Sequence, residues 1–230
     1  MGVEIASSPV CMYRLQRVHA VSRIHGLYAI TPDCADTPDL LRRVRLALAG
    51  GACVLQYRNK TASQALRLNQ AQSLRELTRL FSVPLIINDD AHLALQVDAD
   101  GVHLGASDTA LVVARAIPGQ HKIIGISCYN RASLAREAVA EGADYVAFGA
   151  FFPSSDKPDA VSAEVELLSR MRAELVVPLV AIGGITAQNG TGLVRAGADA
   201  LAVISALFDA ADIQAAAHGF SKLFIRDSAT

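Results

Sequence analysis

Ala52-Cys53-Val54-Leu55-Gln56-Tyr57-Arg58-Asn59-Lys60 is the stretch that decides how this chain is read. Four apolar residues run straight into two amides, a phenol and two cations. A strand that is apolar along its length and polar at its C-terminal tip fits a scaffold whose strands are buried and whose chemistry sits at one end. Alternation along an extended segment puts Gln56, Arg58 and Lys60 on one side and Tyr57 on the other. Two cations and an amide donor on one side suit a diphosphate. They equally suit a solvated loop, and the stretch alone does not choose.

The same pattern recurs on both sides of it. Apolar, β-rich runs occur at Leu27-Ile30, Ala52-Leu55, Pro84-Ile87, Gly101-Leu104, Lys122-Ile126, Tyr145-Phe148, Pro178-Ile182 and Ala200-Ile204, with polar or glycine residues close behind most of them. Helical spacing lies between them. Leu40, Leu41, Val44 and Leu48 share one helix face; Leu66, Ala71, Leu74 and Leu77 mark a second helix, with Arg67, Gln70, Arg75 and Glu76 outward; Leu134, Ala138 and Val139 mark a later one. Near-continuous apolar strands joined by helices are parallel strands covered on both faces. Gly50-Gly51, Gly142 and Gly197 each stand between a helix and the next strand, where a left-handed cap turns the chain back. Eight units in about 200 residues predict an α/β fold with one closed (β/α)8 TIM barrel. An open doubly wound sheet is the alternative; it would typically carry a GxGxxG turn after the first strand, which Ile30-Thr31-Pro32-Asp33 lacks.

Composition supports a large core and excludes several classes. The chain has 230 residues, 52% hydrophobic and 19% charged, with a formal net charge of -1. A general nucleic-acid or membrane-surface binder needs a basic excess that is absent. No apolar stretch reaches the roughly 18 to 20 residues that span a bilayer. Cys11, Cys34, Cys53 and Cys128 show no CxxC spacing and read as reduced thiols of a cytoplasmic protein. Residues 1–25 contain Arg14, Arg17 and Arg23 against the single acid Glu4, a composition compatible with a transit peptide; the reading adopted is a flexible N-terminal extension. Residues 26–226 are expected to form the barrel and 227–230 a short tail.

In a barrel, the C-terminal ends of the strands converge on one mouth. The third strand ends in Asn88-Asp89-Asp90 and the fourth leads through His103 to Asp108. Carboxylates after adjacent strands, beside a diphosphate, suggest Mg²⁺. Helix capping by Asp89 or Asp90, and by Ser107 or Asp108, is the competing reading. His103, inside an apolar run, reads as a satisfied core residue. Ser127 ends the fifth strand, as a ligand donor or the start of a helix. The sixth leads into Phe148 to Pro158, where Ser154, Ser155, Asp156 and Lys157 suit either a phosphate-gripping loop or an exposed turn. Gly183-Gly184 after the seventh strand and Ile204-Ser205 after the eighth form the position where many barrels hold a phosphate. Two anion sites follow, which suits the joining of two phosphorylated small molecules.

Leu27-Tyr28-Ala29-Ile30-Thr31, the QxRxK of Gln56 to Lys60, Ile87-Asn88-Asp89, Ala99 to Gly105 with Asp108, Gly125-Ile126-Ser127, Gly149 to Lys157, Val180 to Ile185 and Gly197 to Ser205 together resemble the thiamine-phosphate synthase family over residues 26 to about 226. The resemblance implies an Mg²⁺-dependent transferase that condenses a hydroxymethylpyrimidine diphosphate with a thiazole phosphate. In that family the step is thought to pass through a pyrimidine cation. It implies that Gln56, Arg58, Lys60 and Asn88 hold the pyrimidine diphosphate, with Tyr57 and Asn59 in the same binding stretch. Asp89 and Asp108 would bind Mg²⁺. Ser127 would contact the pyrimidine and Lys157 the diphosphate, Arg58, Lys60, Ser127 and Lys157 being the catalytic set. Ser154, Ser155, Asp156, Gly184, Ile204 and Ser205 would contact the thiazole phosphate. A homo-oligomer is compatible with this sequence.

Two positions depart from the family pattern. Its usual TxTK loop reads Ser154-Ser155-Asp156-Lys157 here, placing an acceptor-only anion near a phosphate. Ala106 stands where the family often has Gln. A related thiazole tautomerase shares the barrel, and a paralogue that binds the thiazole phosphate without turnover is a third reading. The retained cations and carboxylates favour the transferase.

Overall fold

The computed structural model describes residues 24–105, 111, 115, 122–153 and 161–225. Eight parallel strands close into a barrel in sequence order, the first pairing with the eighth. They are β1 Gly26–Ile30, β2 Ala52–Tyr57, β3 Leu85–Asn88, β4 Gly101–Leu104, β5 Ile123–Tyr129, β6 Tyr145–Phe148, β7 Leu179–Ile182 and β8 Ala200–Val203. The connecting helices include α1 Thr37–Ala49, α2 Gln64–Leu80, α3 Ala91–Gln96, α4 Ala132–Ala140, α5 Val165–Glu174, α6 Gly190–Arg195, α7 Ser205–Phe208 and α8 Ile213–Ser221. The expected extension, apart from its last two residues, and the tail at 227–230 lie outside the described residues.

Strand alternation divides the core into two layers. Tyr28, Ile30, Val54, Ile86, Ile123, Tyr145, Ala147, Val180, Ala200 and Ala202 fill the barrel, joined from below by Ile24. Leu27, Ala29, Leu55, Tyr57, Leu85, Ile87, Val102, Leu104 and Phe148 face the helices. Ile24 is buried in the inner layer, so the barrel's core begins two residues before its expected boundary. Pro84 and Pro178 have no N–H for the ladder, so β3 and β7 begin one residue later than the apolar runs. Their carbonyls still accept from Leu55 and Val146.

Helix starts follow ordinary capping. Asp36 accepts from the Asp39 amide at 3.0 Å, Ser63 from Leu66 at 3.3 Å and Asp212 from Ala215 at 2.9 Å. Gly51, Gly142 and Gly197 have φ of 102°, 97° and 110°, the left-handed return expected of them. Gln70 and Arg75 depart from the outward face read for α2: Arg75 is largely covered and reaches Asp100, and Gln70 goes further. It is fully buried, because Tyr57 and Asn59 both hydrogen-bond to its carbonyl oxygen, at 2.8 and 3.0 Å.

The N-terminal ends of the strands are held by one device used three times. Asp100 accepts from the Leu85 amide and from Arg75, Asp144 from Ile124 and Arg115, and Asp199 from Leu179 and Arg172. Each aspartate precedes an even-numbered strand and caps the strand before it. In sequence it reads Asp98-Ala99-Asp100, Gly142-Ala143-Asp144 and Gly197-Ala198-Asp199.

Candidate active site

The tip of β2 is shaped from behind before it meets any ligand. The Thr31 hydroxyl, fully buried at the end of β1, accepts from the Arg58 amide and donates to the Arg58 carbonyl, both at 2.9 Å. Asp33 accepts from the Lys60 amide at 2.7 Å and from the Arg58 guanidinium at 3.2 Å. These contacts hold the cationic loop in one form while leaving Arg58 and Lys60 partly accessible. Gln56 points into the barrel and Tyr57 away from it, as alternation requires. Tyr57 and Asn59 turn to α2 and to the Cys34 carbonyl, so they brace the loop from its outer side. Burial pushes the Tyr57 phenol up to about 12, which keeps it a neutral donor to Gln70.

The tip of β3 faces this loop. Asn88 donates to Asp89 at 2.6 Å, and the Lys60 ammonium lies 3.9 Å from the same carboxylate. Asp90 is the residue that caps α3, accepting from Leu93 at 2.8 Å and pairing with Arg67 at 3.1 Å. Capping therefore accounts for Asp90 and not for Asp89. Asp89 has φ of 61°, a left-handed conformation costly for most residues but tolerated by Asp, and its amide donates to the His103 carbonyl at 2.8 Å. A carboxylate aimed across a mouth beside Lys60 is a hard oxygen donor of the kind Mg²⁺ takes in company with phosphate and water. Asp108, the second expected metal ligand, lies outside the described residues.

Beneath the mouth a row of polar groups crosses the barrel interior. Gln56 donates to the Tyr28 hydroxyl at 3.0 Å, Tyr28 meets Tyr145 at 2.8 Å, Tyr145 meets His103 Nδ1 at 2.9 Å, and His103 Nε2 meets Ser127 at 2.9 Å. Burial drives both tyrosine hydroxyls well above their ordinary range. His103 is thus a satisfied core residue, and it is also joined directly to Ser127.

Across the mouth, Gly183 and Gly184 have φ of 103° and 60°. A Cβ at Gly184 would stand 2.3 Å from the Pro153 carbonyl oxygen, and one at Gly183 2.6 Å from Ala150. These glycines admit the loop after β6 as well as opening backbone groups. Amides of Phe151 and Phe152 donate to Ile182 and Gly183, at 3.2 and 3.0 Å. The loop is therefore stitched to the end of β7 immediately before Ser154, Ser155, Asp156 and Lys157, which lie outside the described residues. Ile204, with Ser205 opening α7, stands at the end of β8 beside this edge.

The thiamine monophosphate synthase family model matches residues 27–207, nearly the whole barrel. The chain belongs to this family. It is 57% identical over 206 residues to the thiamine-phosphate synthase of Methylobacillus flagellatus, covering 90% of this chain and 98% of the relative. It is 53% identical over 216 residues to that of Nitrosospira multiformis, covering 93% and 92%. The thiamine phosphate pyrophosphorylase of Pyrococcus furiosus superposes with a TM-score of 0.79 at 35% identity, covering 91% of this chain and 96% of that one.

Within this thiamine monophosphate synthase fold, the structure brings Gln56, Arg58, Lys60, Asn88, Asp89 and Ser127 to one mouth. Sequence reasoning missed Thr31 and Asp33, which position the cations, and Tyr28 and Tyr145, which carry the inner row. A signal existed for the tyrosines. Tyr28 and Tyr145 fall on inward positions of their strands, where a hydroxyl must find a partner. Asp33 had none, because its role depends on a loop returning beside a different strand.

Proposed function

We propose that this barrel is a thiamine-phosphate synthase, joining a 4-amino-2-methyl-5-hydroxymethylpyrimidine diphosphate to a thiazole phosphate. The observation that carries this is the meeting of Lys60 with Asp89 beside Arg58 at the mouth, in a chain so similar to proteins of that name. The bond between the pyrimidine methylene carbon and the diphosphate oxygen breaks, its electron pair leaving with diphosphate. The thiazole ring nitrogen gives its lone pair to the methylene carbon, forming the carbon–nitrogen bond of thiamine phosphate. Both phosphorylated groups stay intact, so diphosphate is the second product.

Arg58 and Lys60 stabilise the charge that grows on the departing diphosphate, and Lys157 would add a third cation from the loop after β6. Their fixed geometry matters, because a preorganised donor costs no rearrangement as charge develops. Gln56, Asn88 and Ser127 orient the pyrimidine substrate, while Tyr57 and Asn59 hold the loop in register. Asp89, with Asp108, would hold Mg²⁺, which supplies charge neutralisation to the diphosphate when bound. Gly184, Ile204, Ser205 and the Ser154-Ser155-Asp156 segment take the thiazole phosphate.

Purified protein mixed with both substrates, with and without Mg²⁺, tests this directly. Mg²⁺-dependent appearance of thiamine phosphate and diphosphate is expected. Isomerisation of the thiazole phosphate without coupling would move the chain to the tautomerase reading, and tight binding with no product to a sensor. Asp156→Thr is expected to keep or improve affinity for the thiazole phosphate, measured by calorimetry.

A further inference from the structure

The buried row Gln56–Tyr28–Tyr145–His103–Ser127 has a direction. Its two tyrosines are at most 1% exposed, so each hydroxyl hydrogen must be used within the row. The Gln56 amide nitrogen can only donate, and it donates to the Tyr28 oxygen. Tyr28 therefore turns its own hydrogen to the Tyr145 oxygen, 2.8 Å away. Tyr145, now accepting from Tyr28, gives its hydrogen to His103 Nδ1 at 2.9 Å. A bare Nδ1 places the ring proton on Nε2, which donates to the Ser127 oxygen at 2.9 Å. Ser127 then has its own hydrogen to offer to the mouth. With the Gln56 amide nitrogen on the Tyr28 side, the reverse order would strand the Tyr28 hydrogen in the barrel core, at a cost of the kind seen for any buried donor left unpaired.

The strands are built to admit this row. A Cβ at Gly125 would lie 1.9 Å from the Tyr145 ring, so β5 gives up a side chain to let Tyr145 reach His103. The rings of His103 and Tyr145 stack with centroids 5.5 Å apart, which fixes the imidazole plane. Burial keeps both phenols protonated, so the order of donors is not disturbed by ionisation.

We infer that Tyr145 and His103 are positioning residues: the Tyr145 hydroxyl, continuing the row from Tyr28, locks the neutral Nε2–H tautomer of His103 and thereby commits Ser127 to act as a hydrogen-bond donor, selecting a pyrimidine ligand that presents a ring-nitrogen lone pair at that point. The ligand half of this statement rests on the transferase reading; the hydrogen-bond order does not.

Nitrogen-15 NMR of ring-labelled histidine in the full-length protein tests the order without any turnover. The His103 signals are assigned by their loss in His103→Gln or, if that variant fails to fold, by their shift in Ser127→Ala. A proton on Nε2 and a bare Nδ1 are expected; a proton on Nδ1, or on both nitrogens, overturns the proposal. Tyr145→Phe should release the tautomer into a mixture, whereas Tyr28→Phe should leave it in place, since Tyr145 still gives its single hydrogen to Nδ1.

Kinetics test the consequence. Tyr145→Phe should lower kcat/KM for the pyrimidine diphosphate by about ten- to a hundredfold, mostly through KM, with the KM for the thiazole phosphate within about twofold of the parent. The same change made in Ser127→Ala should lower it by less than about twofold more, because the group it acts through is gone. Losses that multiply would mean Tyr145 is merely structural and would overturn the proposal. If the parent protein shows the Nε2–H tautomer yet makes no thiamine phosphate, the transferase reading fails while the hydrogen-bond order stands.

Discussion

The two ends of this barrel use the same residue types in opposite ways. At the N-terminal end, Arg75–Asp100, Arg115–Asp144 and Arg172–Asp199 close to 2.6, 2.6 and 2.8 Å, each aspartate also holding a strand amide. At the mouth, Arg58–Asp33 stands at 3.2 Å and Lys60–Asp89 at 3.9 Å. The lower pairs complete one another and leave little charge to offer. The upper pairs hold their cations in place without neutralising them, which is what a site for a phosphorylated ligand requires. The lower device repeats because it serves the strand scaffold, which also repeats; the upper residues occur once each because the substrates have no such symmetry.

The contrast can be broken by substitutions made in order of expected effect. Asp89→Ala should lower kcat/KM by about a thousandfold or more while circular dichroism stays near the parent spectrum and the melting temperature falls by only a few degrees, because alanine tolerates the left-handed backbone at this position less well than aspartate. Normal turnover in that variant would remove Asp89 from the machinery. Asp144→Ala should do the reverse. It leaves Arg115 and the Ile124 amide without their shared acceptor, destabilising the fold by about 3 kcal/mol in urea titration, with kcat/KM nearly unchanged under native conditions. A large catalytic loss there, at full folding, would erase the distinction between the two ends. Asp33→Asn, which keeps an acceptor but removes the charge steadying Arg58 and Lys60, should lower kcat/KM by about fivefold with little change in stability. Glu174→Gln is the control on the outer surface. Its exposed pair with Arg136, 2.7 Å long, should contribute nothing measurable to melting.

Legibility differed between the ends for the same reason. Repeated features can be read from sequence, since each copy supports the others. The eight apolar runs become eight strands, and the glycine returns at 51, 142 and 197 and the alternation through Gln56 and Tyr57 appear where the sequence places them; β5 differs, continuing to Tyr129, so that Ser127 lies within the strand and begins no helix. Gln70 was misread because helical periodicity treats glutamine as outward, whereas Tyr57 and Asn59 from β2 supply the partners that allow it inside. The roles of Thr31 and Asp33 were invisible because their effect runs through the backbone of the loop after β2, 27 residues away in the chain. His103 could be called satisfied from its neighbours, but its two partners come from β5 and β6, and only closure of the barrel brings those strands beside it.

Gly125 and Tyr145 form an epistatic pair. With the glycine Cβ position 1.9 Å from the tyrosine ring, any side chain at 125 is blocked while the ring remains. Losing the ring first would strand the hydroxyl of Tyr28 and release His103. Apart from Tyr145→Phe, which keeps the ring, neither position has a single-step route to another residue, so a library meant to change what this barrel accepts must vary both together.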